Sequence, residues 1–251
     1  MKTESNIKNY QLKRNPGNLI YDELGREVLA LHNERFKGIK NIEDTNKYNQ
    51  GQPISYSNVP RVLSYNQILR EKFPFLNTHV LSPEEVVKYW NLPIPERDST
   101  YADTDSVSIY PNEGSNEDLR KRVLDILKKQ RTEVPLVVSG LGVEKADNKY
   151  GFTFIETPYT KSKEAPYLSK DGKVSYDPEK GLVPSKDGVN IWTPSDQSGL
   201  RWLYRNGSDG LNAWDIGLLG SDESGRVQLV QDPQGRNENL ENLVEQTIKI
   251  D

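Results

Sequence analysis

Turn-forming strings cut the second half of the chain at short intervals, and this spacing limits the fold more than any other feature. Ser169-Lys170-Asp171-Gly172, Ser185-Lys186-Asp187-Gly188 and Asn206-Gly207-Ser208-Asp209-Gly210 leave too few residues between apolar segments for a parallel crossover. Asp-Gly between extended segments is a hairpin signal, because glycine takes the positive φ that tight hairpin turns need. Residues 220–225 and Asp232-Pro233-Gln234-Gly235 continue the pattern. Leu136-Val137-Val138 reads as a buried strand, and Phe152, Phe154 and Tyr159 mark another. From residue 134 onward the chain therefore reads as an antiparallel, hairpin-rich sheet closed by a short helix over residues 240–248. The two Ser-Lys-Asp-Gly strings differ in their flanks and read as independent turns, not as a duplication.

Before residue 134 the periodicity is helical. Ile20, Leu24, Val28 and Leu31 recur at helical spacing behind Asp22 and Glu23, and Lys37-Gly38 marks the stop. A short helix fits residues 63–72, ahead of Pro74. Ser82-Pro83-Glu84-Glu85 combines an N-cap serine, a proline at the first helical position and a capping-box glutamate. Ser115-Asn116-Glu117-Asp118 opens another helix, with Leu119, Val123, Ile126 and Leu127 inward and Arg120, Lys121, Arg122, Lys128 and Lys129 outward. The fold class expected is α+β: a helical N-terminal half, then the sheet, then the C-terminal helix. Residues 1–133 form the mainly helical region with polar loops and 134–251 the β-rich region, with a soft boundary near residues 131–135 that one continuous domain would also accommodate.

Composition narrows the chemistry. The chain has 251 residues, no Cys and two His, so disulfides, thiolate metal sites and a cysteine nucleophile are excluded. A net charge of -4 and a pI near 5.5 give no basic footprint for nucleic acid. Thirteen Tyr and four Trp argue for an ordered body despite a mean hydropathy of -0.78. The polar start, Met1-Lys2-Thr3-Glu4-Ser5-Asn6, lacks an apolar signal core, and no run approaches the length of a membrane span. The default expectation is a soluble, cytoplasmic protein with no membrane partner.

Three segments carry chemistry. In Tyr101-Ala102-Asp103-Thr104-Asp105-Ser106, carboxylates at i and i+2 of an extended segment point to one face and can share a divalent cation, as phosphoryl transfer requires. The string resembles the Tyr-x-Asp-Thr-Asp-Ser motif of family B DNA polymerases, which implies both aspartates at a metal site. Asp105-Ser106-Val107-Ser108-Ile109-Tyr110-Pro111 resembles the other metal-binding motif of that family. The two matches overlap on Asp105 and Ser106, where the family keeps its motifs on separate strands, and the chain is too short for such a polymerase. The commoner role of such acids is to accept hydrogen bonds from nearby backbone. Ser139-Gly140-Leu141-Gly142 follows an apolar strand, but it lacks the third glycine and the helix of a dinucleotide-binding loop and reads as a tight turn. His32 and His79 have no nearby serine–acid pattern, which leaves carboxylates as the expected catalytic groups.

The third segment is the hairpin from Leu200 to Ile216. Alternation puts Leu200, Trp202 and Tyr204 on one face and Arg201, Leu203 and Arg205 on the other, with Trp214 on the return strand. An exposed aromatic face would be a stacking platform, although large aromatics in strands are usually core and the arginines would then face solvent near Asp209 and Asp215. Residues 195–235 resemble the C-terminal regions of uncharacterised archaeal proteins, a resemblance that implies no activity, cofactor or site. The leading functional expectation is a binding or interaction protein of unidentified partner, a protein being one option, acting through Arg201, Trp202, Tyr204, Arg205 and Trp214 with no cofactor. The alternative is a phosphoryl-transfer or hydrolytic enzyme that uses Asp103 and Asp105, with Glu113, around magnesium or manganese.

Overall fold

The computed structural model describes residues 17–44, 50–91 and 100–231. The chain begins with β1 (Gly17–Asn18), α1 (Glu23–Arg35), α2 (Val59–Lys72), a 3₁₀ turn (Pro74–Leu76), β2 (Thr78–Val80) and α3 (Pro83–Lys88). It continues through β3 (Tyr101–Ile109), α4 (Glu117–Ile126), β4 (Leu136–Ser139), β5 (Gly142–Lys145), β6 (Phe152–Ile155) and β7 (Lys161–Glu164). A second 3₁₀ turn (Pro166–Leu168) leads to β8 (Gly172–Asp177), β9 (Gly181–Pro184), β10 (Val189–Trp192), β11 (Leu200–Asn206), β12 (Gly210–Asn212), β13 (Gly225–Arg226) and β14 (Gln228–Gln231).

Local chemistry sets the helix starts. The Asp22 side chain accepts a hydrogen bond from the Gly25 N–H at 3.0 Å, and Asn58 does the same for Arg61 at 3.1 Å. The Asn58 cap, with Pro60 in the first turn, starts α2 ahead of the residue 63 that apolar spacing suggests. Ser82 and Glu85 form the full capping box of α3. In α4, Leu119 and Val123 are buried as expected, but Arg120 is buried too, and its guanidinium donates to the Tyr110 and Pro111 carbonyls at 3.1 Å each.

The expected helical front half is not what forms. Among the described residues strands hold 32% and helices 24%, and the main element is a nine-stranded, curled half-barrel sheet. Its order is β7-β4-β3-β11-β12-β10-β8-β9, with β13 also beside β3. Every pairing in it is antiparallel except β10 with β12 and β13 with β3. The reason is β3, the longest strand, which lies in the front half and pairs with β4 on one side and β11 on the other. Residues 102–109 are all buried, polar ones included, so the strand carries no apolar alternation to announce it. The sheet is continuous across residue 134, and β14 pairs with β1 and β2 from the start of the chain. The C-terminal helix expected over residues 240–248 lies outside the described residues.

One face of the large sheet, through Val107, Val138 and Trp202, packs on α4 and the β5–β6 hairpin, where Phe152 and Phe154 meet edge to face. The other face, through Leu203, Ile191 and Leu211, covers α3 and the second 3₁₀ turn. A third core lies between α1, α2 and the β1-β14-β2 sheet. Strand β2 and helix α3 are thereby held beside the middle of β3.

Candidate active-site cleft

A regular strand would put Asp103 and Asp105 on one face. The register of β3 against β11 is not regular. Val107 lies opposite Trp202 and Asp103 opposite Tyr204, so Leu203 alone faces residues 104–106. This β-bulge re-aims the side chains within it. The Thr104 hydroxyl donates to the Leu203 carbonyl, and the Asp105 N–H turns to the Leu81 carbonyl at 3.1 Å. The two carboxyls then part. Asp103 is fully buried beside Tyr101, Tyr204 and Ser57, whereas Asp105 lines a cleft of about 760 Å³.

Most polar groups of the cleft come from six elements. The last turn of α2 brings Arg70, β2 brings His79, and the start of α3 brings Ser82, Glu84 and Glu85. The bulge supplies Asp105 and Ser106, the end of β4 supplies Ser139, and β7 supplies Lys161 and Lys163. Alternation along β2 sends Val80 into the core and leaves His79 on the cleft side. Glu85 joins its neighbours with both oxygens. Oε1 meets His79 Nε2 at 2.9 Å, while Oε2 accepts from the Ser82 N–H at 2.9 Å and the Ser82 hydroxyl at 2.8 Å. Beside them the Ser106 hydroxyl donates to Asp105 Oδ1 at 2.7 Å, and Asp105 Oδ2 stands 4.0 Å from the Arg70 guanidinium.

This packing shifts the proton affinities of all three groups. Burial pushes Asp105 up to about 6, opposed by the Ser106 hydrogen bond and the Arg70 charge. Burial pulls His79 down, but the hydrogen bond and charge of Glu85 outweigh it and hold the imidazole above its ordinary 6.5. Glu85 is also disfavoured as an anion by burial, yet His79 and Ser82 hold it below the usual carboxylate range. A carboxyl raised to about 6 and an imidazole held above 6.5 thus face one cavity, the arrangement that general acid–base chemistry uses.

The other sequence candidates fall elsewhere. Asp103 is driven well above the carboxylate range by burial, countered in part by the nearby Ser57 hydroxyl, which lies outside hydrogen-bonding geometry. The charges of Asp215 and Asp222 push it further up. Among the described residues no group of three His, Asp or Glu side chains is placed to hold a metal ion. Glu113 is exposed before α4 and does not line the cleft. In the hairpin, Trp202 is buried and stacks on the half-buried Tyr204 at 4.6 Å. Trp214 alone of the three is exposed, at 63%, together with Ile216.

The hairpin arginines do not face solvent. Arg201 bonds the Ser198 and Trp214 carbonyls and Asp196, and Arg205 bonds the Gly207 carbonyl and Thr100. Gly140 takes a φ of 69° and abuts the Tyr159 carbonyl, where a Cβ would sit 2.2 Å away, so the Ser-Gly-Leu-Gly string is a tight turn at the cleft wall. His32 is fully buried against the Ile42 carbonyl, and burial lowers it to about 3.

Sequence reasoning singled out Asp105 and the capping box but missed His79, Arg70 and the β7 lysines. The signal for His79 was present as a histidine six residues before the capping-box glutamate across a strand-to-helix turn. Arg70 and the lysines reach the cleft by long-range packing that no local pattern encodes. Compared with protein-family models, with curated proteins and with solved structures, the chain matches none.

Proposed function

We propose that the cleft is the active site of an enzyme that moves protons on a small polar substrate, with Asp105 and His79 as the exchanging groups. One observation carries this reading: the β3 bulge turns Asp105 out of the strand alternation and into a cavity beside the His79–Glu85 pair. Near neutral pH Asp105 is the base and protonated His79 the acid, and Glu85 orients the imidazole from behind. The cavity is large enough for a metabolite-sized molecule. No shared metal enters the reading, because Asp103 does not reach the cleft. Burial of Trp202 removes it from the binding surface expected of the hairpin, where Arg201, Tyr204, Trp214 and Ile216 line a smaller concavity of about 340 Å³.

The test is a turnover screen with chromogenic phosphate esters, carboxylic esters and glycosides, repeated with Asp105→Asn and His79→Gln. Each substitution should lower the rate by about 100-fold or more with the fold retained, the range for loss of a general acid or base. The wild-type rate should rise as pH climbs through about 6 and fall as His79 loses its proton above 6.5. Asp105→Asn turning over at the wild-type rate would sink the reading.

A further inference from the structure

The cleft holds a half-buried arginine, Arg70, that differs from the deeply buried ones. Arg61, Arg120, Arg201 and Arg205 are each exposed by 5% or less, and each commits its guanidinium to carbonyl groups of the fold. Arg70 does not. It lies over the Tyr159 ring at 4.5 Å, and its nearest carboxylate oxygen, on Asp105, is at 4.0 Å, beyond hydrogen-bond range. Its Nε–H is buried and makes no hydrogen bond among the described residues. A buried donor left unmade is costly, and a planar fork held in place by stacking is preorganised for an oxyanion.

The strands that line the cleft supply matching groups. Ser106 faces Ser139 across β3 and β4, and Ser139 faces Lys161 across β4 and β7, so the three side chains form one row on the cleft face. Directly opposed side chains on neighbouring strands lie about 5 Å apart at Cβ, close enough for adjacent groups in this row to meet one anion. Lys163, two residues on, is engaged by Glu84 at 3.4 Å and by the Lys180 carbonyl. Lys161 has no ion pair among the described residues.

The charge balance points the same way. Arg70, Lys88, Lys161 and Lys163 set four positive charges in the lining against three carboxylates, Glu84, Glu85 and Asp105, which leaves +1 before His79 is protonated and +2 after. The whole chain carries -4. A cationic concavity in an anionic protein concentrates anions.

We infer that the substrate enters as a phosphate monoester whose phosphoryl oxygens dock between the Arg70 fork and the row formed by Ser139 and Lys161. This rests on the cleft being the active site. The dianion is favoured over a carboxylate because two cations, Arg70 from α2 and Lys161 from β7, line the cleft where one would satisfy a monoanion.

Calorimetric titration of the full chain with inorganic phosphate, set against acetate at equal ionic strength, tests the inference. Phosphate should saturate a single site in the millimolar range or tighter and bind about tenfold or more above acetate. Arg70→Met should weaken it by about tenfold or more and Lys161→Ala by severalfold. Arg70→Lys, which keeps the charge and the fold but not the planar fork, should fail to restore it. Asp105→Asn should tighten phosphate by removing a neighbouring negative charge. Equal binding of acetate, no saturation by phosphate, or Arg70→Lys and Arg70→Met both within twofold of wild type would overturn the inference. If Asp105→Asn abolishes turnover while the Arg70 variants bind phosphate normally, the docking inference falls and the acid–base reading stands. If the Arg70 variants lose phosphate while Asp105→Asn turns over normally, the reverse holds.

Discussion

Asp105 weakens the fold once it ionises. Its pKa is about 6 in the folded protein against 3.8 for the free side chain, so the folded state holds this proton more tightly than the unfolded one. The associated stability is fully present below pH 3.8 and is lost as pH rises through 6. Above that the ionised carboxylate costs up to about 3 kcal/mol, since each tenfold gain in proton affinity on folding corresponds to roughly 1.4 kcal/mol. Asp105→Asn should therefore stabilise the protein by up to that amount at pH 8 and hardly at all at pH 3.5, with the difference opening between pH 4 and 6. Denaturant melts of both proteins across that range check it, and a difference that does not change with pH would refute it. The sequence made Asp105 visible because period-2 alternation paired it with Asp103. The bulge separating the two is a long-range register shift against β11, and nothing in residues 101–106 encodes it. The buried arginines were hidden for a related reason. Arg120, Arg201 and Arg205 read as solvent groups until the carbonyls they serve are brought up by distant turns.

At the scale of the element, α3 is short, and its first turn holds Glu85 against His79. The capping box was fully legible in Ser82-Pro83-Glu84-Glu85, because caps are decided within four residues. The second duty of Glu85 was not, since the approach of His79 depends on β2 pairing with β14 more than a hundred residues later. Glu85→Gln preserves a capping side chain while deleting the charge that holds His79 protonated. The His79 pKa should then drop from above 6.5 to below it, burial being left with less opposition. Proton NMR can follow this cleanly. The chain has two histidines, and His32, lowered to about 3, stays neutral, so any imidazole signal titrating between pH 5 and 9 is His79. The midpoint should fall in Glu85→Gln, and the alkaline limb of the rate profile should fall with it. An unmoved midpoint would remove Glu85 as the positioning residue.

At the scale of the molecule, β3 joins what the sequence divides. Turn spacing marked strand ends, but of the three turn strings only the one at residues 206–210 joins two paired strands, β11 and β12. It could not show that the central strand comes from the front half, because strand pairing is a property of chain segments far apart. Val107 and Ile109 of β3 pack into the same cluster as Leu119 from α4, Phe154 from β6 and Trp202 from β11. Val107 itself lies opposite Val138 on one side and Trp202 on the other. Loss of packing at Ile109 should thus be felt on both sides of residue 134. Ile109→Ala should destabilise the protein by about 2–5 kcal/mol, the usual cost of truncating a fully buried aliphatic side chain. The front of the chain has a probe in Trp90, and the back has Trp192, Trp202 and Trp214. Single-tryptophan variants carrying Ile109→Ala should report one common midpoint in denaturant, shifted equally from their parents. Two separate midpoints, with only one moved, would mean that the sheet does not couple the halves. The cleft would then sit at the junction of two independently stable parts, since His79 and Arg70 come from before β3 and Ser139 and Lys161 from after it.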